Sequence, residues 1–397
     1  MQRIVIARLV ATWAALLGLL AGCATSTSST PQPPMVRGAD LSGNGPGSLI
    51  SATVITNIDH SVPLGTTAAR IMYRSTSGVD GSATVVSGAV FIPPGRPPRG
   101  GWPIIAVAHG TSGFDPECGP SLFPDLMGNI GVVVRWLRYG FAVAAADYQG
   151  LGAPGVHPYL DAKTAGLNVI DSVRALRRVS REVSGRWAAI GGSQGGAAVW
   201  AANEQAARYA PELYLVGTVS KVPAADQSDL ADDAAAGTLN NDQKAMYIAI
   251  LRGLSRTHPG FPLDDYRRGV VQEKWDVLNA CAGPLTEERA RLIDRGEIAA
   301  ADLTPASDGA RQRLRDLLAQ MALPQGPATA PMLVIYTGRD EFIPVEATQR
   351  SLERACALGD QIDVVFEPDK THGEVGDANS FEWIGQRFSS IPASSNC

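Results

Sequence analysis

The chain has 397 residues, 45% of them hydrophobic and 18% charged, with a formal net charge of −5. That balance suits a well-cored globular protein. No block of lysine and arginine appears, so nucleic-acid binding is not expected, and no apolar run after the first twenty residues approaches membrane-spanning length.

Arg3 and Arg8 flank the start of an apolar run over residues 9–20, too short for a membrane span and placed like the core of a signal peptide. It ends in Leu20-Ala21-Gly22-Cys23, which resembles the lipobox of bacterial lipoproteins. The resemblance implies cleavage before Cys23 and diacylglycerol on its sulfur. The alternative is an ordinary signal peptide cut near Ala24. We therefore expect a lipoprotein signal peptide over 1–22 and an exported protein, either secreted or anchored in the cell envelope at Cys23, against a membrane surface but not spanning it. Residues 24–34 are Ser, Thr, Pro, Gln and Ala, and 38–47 are rich in Gly and Pro. Without large apolar side chains to bury, 23–48 is expected to be a flexible tether.

From residue 49 onward the pattern is α/β. Residues 68–74 and 85–92 are β-like and separated by Gly78–Gly81, which suggests a hairpin. Short, wholly apolar runs at 104–108, 141–146, 187–190, 213–219, 332–336 and 362–366 read as strands buried on both faces of a mostly parallel sheet. Between Gly166 and Val183, Ile170, Val173, Leu176, Val179 and Val183 recur every three or four residues, one face of a helix. Residues 223–330 contain no convincing strand. Over 307–323, Leu314, Leu317, Leu318 and Met321 make an apolar helical face, with Arg311, Arg313, Arg315 and Asp316 on the wet side. The expected organisation is a core of 49–222 and 331–397, interrupted by a helical cap at 223–330 near the carboxyl ends of the strands.

One turn carries the chemistry. The run 187–190 leads into Gly191-Gly192-Ser193-Gln194-Gly195, and an alanine-rich helical stretch follows. Strand, G-x-S-x-G and helix together form the context of a nucleophile elbow. A serine hydroxyl needs a base, and the base needs an orienting group. His372 lies just past the last core strand and is the base candidate. Asp340 follows the strand at 332–336 and is the acid candidate, with Glu341, Asp363 and Asp369 as competitors. Ser, acid, His is the chain order of α/β-hydrolases. The tetrahedral intermediate requires two N–H donors. One is Gln194 N–H, after the nucleophile. The other lies in His109-Gly110-Thr111-Ser112-Gly113, with Thr111 as the donor and Gly110 as the alternative. His109 precedes the elbow and reads as a loop-orienting residue. Asp147-Tyr148-Gln149-Gly150-Leu151-Gly152 reads first as a structural turn with Asp147 capping backbone amides.

His109-Gly-Thr-Ser-Gly, Asp147-Tyr-Gln-Gly-Leu-Gly, Gly191-Gly-Ser-Gln-Gly-Gly, Gly338-Arg-Asp340 and Thr371-His372-Gly occur in family order, and together they resemble the secretory lipase family of α/β-hydrolases, the lipase-A type. The resemblance runs from about residue 49 to the end. It implies a lidded esterase or lipase without metal or organic cofactor, with Ser193, Asp340 and His372 as nucleophile, acid and base. Besides Cys23 the chain has four cysteines, for which the sequence leaves three pairings open. The resemblance implies Cys118–Cys281 and Cys356–Cys397. Gly192 departs from the family, where a bulkier residue is common, and the lipoprotein leader is not part of the fungal pattern. The expected activity is carboxylic-ester hydrolysis through an acyl-enzyme on Ser193, on acylglycerols or other apolar esters. Two alternatives are a serine aminopeptidase or acyltransferase on the same fold, the aminopeptidase using Asp226, Asp229, Asp232 and Asp233 to hold an amino group, and a non-catalytic binding lipoprotein.

Overall fold

The computed structural model describes residues 33–397 except residue 282. The expected signal peptide, Cys23 and the tether up to residue 32 lie outside the described residues.

In chain order the elements are β1 (Leu49–Val54), β2 (Thr67–Thr76), β3 (Ala83–Ile92), β4 (Trp102–Ala108), α1 (Ile130–Arg138), β5 (Ala142–Ala146), α2 (Ala162–Val179), β6 (Val183–Gly192), α3 (Gln194–Tyr209) and β7 (Tyr214–Lys221). Six helices come next: α4 (Leu230–Ala236), α5 (Asn241–Thr257), α6 (Gly269–Glu273), α7 (Trp275–Leu278), α8 (Leu285–Asp294) and α9 (Asp308–Met321). The chain then returns to the core with β8 (Met332–Arg339), α10 (Val345–Ala357), β9 (Ile362–Thr371) and α11 (Ala378–Phe388). The nine strands among the described residues form one sheet in the order β1-β2-β3-β5-β4-β6-β7-β8-β9. The pairings from β1 to β5 along this order are antiparallel, and those from β5 to β9 are parallel. The hairpin expected from Gly78–Gly81 is the β2–β3 pair.

Side chains alternate across each strand, so one strand feeds two cores. Ile104, Ala106 and Ala108 of β4 pack with Val169, Ile170, Val173 and Leu176 of α2. Ile105 and Val107 face the other way, towards Val133 and Trp136 of α1 and Trp383 and Ile384 of α11. Both sheet faces are therefore covered, and β6, bearing the elbow, lies between β4 and β7 near the middle.

Two expectations are corrected. Val183 does not extend the α2 stripe; it opens β6, because Ser180 ends the helix in an extended conformation. Residues 33–48 are not a free tether. Val54 N–H bonds Pro34 O, Val36 N–H bonds Ala52 O and Asp40 N–H bonds Arg178 O, each at 2.8 Å, and Ser48 is buried. Backbone pairing with distant residues holds a segment whose own side chains offer little to bury.

Between β7 and β8 the described residues form helices and turns only. This insertion shares a core with the rest of the molecule: Tyr247 and Leu251 of α5 and Leu314 and Leu318 of α9 cluster with Trp200 of α3, Tyr336 of β8 and Leu352 of α10. Ser307 caps α9 by accepting from Ala310 N–H at 3.1 Å. The charged side of α9 is not simply solvated. Arg311 and Arg315 pair with Asp232, and Arg313 pairs with Asp265 at 2.7 Å. Disulfides join Cys118 to Cys281 and Cys356 to Cys397, with Cα–Cα distances of 5.8 and 5.2 Å.

Candidate active site

Ser193 stands between the last residue of β6 and the first of α3, with φ 58° and ψ −122°. A non-glycine residue in that region carries about 1–3 kcal/mol of strain. The turn is held by Ser193 N–H donating to Lys221 O at 2.9 Å and by Ser193 O accepting from Ala197 and Ala224 N–H at 3.1 and 3.2 Å. Glycines make the crossing possible. A Cβ on Gly191 would lie 2.3 Å from Gly195 O, and one on Gly195 would lie 2.1 Å from Ala108 O. Gly192 is different: its nearest neighbours would be Lys221 O at 3.8 Å and Lys221 Cβ at 4.0 Å. Its small size leaves open space and is not demanded by the turn.

His372 begins the short turn that follows β9, and Asp340 follows β8. Their strands are parallel neighbours, with Arg339 in register with Thr371, so the two loops emerge side by side. His372 Nδ1 donates to Asp340 Oδ2 at 2.8 Å. Asp340 Oδ1 accepts from Phe342 and Ile343 N–H at 2.9 and 2.8 Å, which fixes the carboxylate. Glu341 takes a different place, its carboxylate accepting the His372 backbone N–H at 3.1 Å. Asp363 accepts from Ser394 Oγ at 2.8 Å and makes no bond to the imidazole. With Nδ1 protonated toward Asp340, Nε2 is the free basic nitrogen. Ser193 and His372 line one cavity of about 360 Å³ without a direct hydrogen bond between them.

The loop after β4 packs against the elbow. A Cβ on Gly110 would lie 3.9 Å from Ser193 Cβ. Thr111 N–H donates to no acceptor among the described residues, and Gln194 N–H belongs to the unbonded first turn of α3. Thr111 Oγ1 and the Tyr159 hydroxyl share a 2.8 Å hydrogen bond at the cavity wall. Burial pushes the Tyr159 phenol up to about 12, so it stays neutral. His109 is buried, bonded by Nε2 to Asp147 O at 3.1 Å and stacked on Tyr148. Asp147 accepts from the Ser87 hydroxyl at 2.6 Å and from Ser121 N–H at 2.8 Å. Both residues brace the loop, and neither lines the cavity.

Sequence reasoning assigns no role to His157, yet it supports Gln194. Gln194 Nε2 donates to His157 Nε2 at 3.0 Å, and His157 Nδ1 donates to Gln149 O at 2.9 Å. Burial holds the imidazole down at about 4, so it is neutral. The cavity wall also brings in residues without a motif. Phe114 and Phe342 come from core loops. Ala245, Met246 and Ala249 come from α5, and Arg289 comes from α8. The insertion thus supplies part of the cavity wall. It is tied to the loop beside Thr111 by Arg252 and Arg256, which pair with Asp115 at 2.9 and 2.7 Å, and by the Cys118–Cys281 disulfide. A larger hollow of about 660 Å³, lined by Arg174, Arg177, Arg178 and Arg181, contains none of the predicted site residues. Among the described residues, no group of His, Cys, Asp or Glu is placed to hold a metal ion.

A largely parallel sheet covered on both faces, with a serine at a strained strand–helix turn and an Asp–His pair after the last two strands, is the α/β-hydrolase fold. A family model described as secretory lipase matches residues 127–280. Lipase A of Arthroderma benhamiae is 24% identical over 287 residues, 67% of this chain and 57% of that protein, so the chain spans little more than half the length of this relative. The secreted triacylglycerol lipase LIP4 of Malassezia globosa is 24% identical over 356 residues, 83% of this chain and 74% of that one. Among solved structures, Candida antarctica lipase A in its closed state shares the fold with a TM-score of 0.73 at 18% identity, covering 89% of this chain and 84% of its own. The rice cell wall degrading esterase LipA from Xanthomonas oryzae, in a ligand-bound form, has a TM-score of 0.66 at 20% identity, covering 88% and 97%. Over residues 127–280 the chain is similar to the secretory lipase family, and its disulfides fit an exported protein.

Proposed function

We propose that this chain is a serine carboxylic-ester hydrolase, a lipase or esterase acting on acylglycerols or other apolar esters. The observation that carries the reading is the 2.8 Å Asp340–His372 bond, opening onto the cavity that also holds Ser193 on its strained turn. In the first half-reaction Ser193 Oγ attacks the ester carbonyl carbon and His372 Nε2 takes its proton. Asp340 keeps the Nδ1–H tautomer and stabilises the imidazolium. The carbonyl oxygen, now negative, accepts from Thr111 and Gln194 N–H. Collapse of the intermediate breaks the ester C–O bond, and His372 returns the proton to the departing alcohol. A water deprotonated by His372 then releases the acid and restores Ser193.

The aminopeptidase alternative loses its support. Asp226 pairs with Arg354, Asp229 with Arg350, and Asp232 with Arg311 and Arg315, Asp233 accepts from the Thr238 hydroxyl at 3.4 Å, and none of the four lines the cavity. What speaks against a purely binding role is the combination of Ser193 on its strained turn with the Asp340–His372 pair on the same cavity. We further propose that residues 223–330 act as the cap of the site and that Cys23, if lipidated, holds the enzyme beside lipid substrates. Turnover of 4-nitrophenyl esters by the wild type and its loss in Ser193→Ala test the reaction. For the anchor, wild-type protein in the membrane fraction with diacylglycerol on Cys23 is expected, and soluble export of Cys23→Ser.

A further inference from the structure

The cavity at Ser193 holds a cation without an anion. Among the described residues Arg289 is the one permanently charged side chain on its wall, and no carboxylate lines it. Five other arginines of the insertion have carboxylate partners: Arg252 and Arg256 have Asp115, Arg311 and Arg315 have Asp232, and Arg313 has Asp265. Arg289 forms no salt bridge among the described residues. Its Nε is buried without an acceptor, and Nη1 has only a 3.4 Å contact with Ala280 O. Burial pulls its guanidinium below the usual basicity, and no carboxylate offsets that effect. A partly buried cation without a counter-charge is costly unless something arrives to pair with it. Beside it the wall is apolar, with Met246, Ala249 and Phe342, so the cavity joins a greasy surface to one fixed positive fork. A guanidinium matches carboxylate and phosphate in a two-pronged geometry.

Resting on the ester-hydrolase reading, we propose that Arg289 receives an anionic group, carboxylate or phosphate, carried by the ester itself. The site then selects amphiphilic esters with an apolar stretch and one anion over wholly neutral esters of the same length. Arg289 acts in substrate selection and takes no part in the proton transfers.

The test compares matched pairs on the purified full chain. Mono-(4-nitrophenyl) suberate against 4-nitrophenyl octanoate tests carboxylate. 1-Octanoylglycerol 3-phosphate against 1-octanoylglycerol tests phosphate. A charged hydrogen-bonded contact corresponds to about ten- to hundredfold in kcat/KM. The wild type is expected to favour the anionic member of at least one pair by that factor, and the favoured pair names the anion. Arg289→Gln should lower the ratio within that pair ten- to hundredfold, and Arg289→Lys should retain part of it. A role in packing alone would change both members together and leave the ratio fixed. Wild-type ratios at or below one in both pairs overturn the inference, without need of any variant. Absence of turnover on all four esters would instead overturn the ester-hydrolase reading.

Discussion

Single alanine substitutions at Gly195 and Gly192 separate crowding at the elbow from open space two and one residues away from the serine. The Gly195 substitution places a carbon 2.1 Å from Ala108 O and 2.7 Å from His109 O, both backbone atoms at the end of β4. Relief requires about 1 Å of movement between α3 and a strand paired on both sides in the middle of the sheet. Forcing atoms into a packed interior costs about 1–3 kcal/mol and occasionally more, and this site belongs at the upper end. At about 2 cal/mol/K of unfolding entropy per residue, a cost of ~3 kcal/mol lowers the midpoint of this chain by about 4 °C. The Gly192 substitution meets nothing closer than 3.8 Å, so its midpoint should stay within about 1 °C of wild type. Thermal unfolding followed by circular dichroism reads both. A Gly195→Ala protein as stable as wild type, or a Gly192→Ala protein as damaged as Gly195→Ala, would refute the packing account of the turn.

Asp340→Asn should fold normally, since the amide oxygen still accepts from Phe342 and Ile343 N–H, but its NH₂ then faces His372 Nδ1 and forces the proton to Nε2. We expect kcat to fall by about 10⁴, and a loss below tenfold would contradict the assigned tautomer. Replacing Cys118 and Cys281 by serine removes a cross-link across 163 residues, and the Cys356–Cys397 link spans 41. Loop entropy gives about 5 and about 4 kcal/mol, so urea unfolding should show the first pair costing more, and the reverse order would speak against it. His157 is held at about 4 by burial, against an ordinary 6.5, so the unfolded state takes up its proton first and this contribution to stability is lost as pH falls from 6.5 toward 4. The stability advantage of wild type over His157→Gln should narrow by about 3 kcal/mol across that range. Asp171 and Glu204, raised by burial to about 6 and about 8, titrate in the opposite sense in both proteins, so the difference between them is the quantity to measure, and a constant gap would exclude a buried neutral His157.

The frame was legible where one physical signal dominates. Unbroken apolar runs such as 104–108 and 187–190 have no polar face, and only a strand covered on both sides accommodates that. The elbow was legible because Gly191 and Gly195 bracket the serine, and Asp340 and His372 because each follows such a run. What escaped depends on distant pairing. β1 and residues 33–48 are held by backbone hydrogen bonds to partners that composition cannot reveal. Val183 continued a helical period and still became the first residue of a strand, since the three residues 180–182 were enough to change the element. His157 and Arg289 carry no local pattern. The first matters through a contact with Gln194, 37 residues away, and the second through a cavity wall assembled from separate segments.

The central claim is that Ser193 is an activated nucleophile, and a fluorophosphonate probe tests it without assuming a natural substrate. Incubated with the folded chain, the probe should place one phosphonyl group on Ser193, located by peptide mass spectrometry, with ester turnover lost in proportion. Ser193→Ala should neither label nor turn over. Ester turnover that survives in Ser193→Ala, or a folded wild type that stays unlabelled at Ser193, would contradict the account.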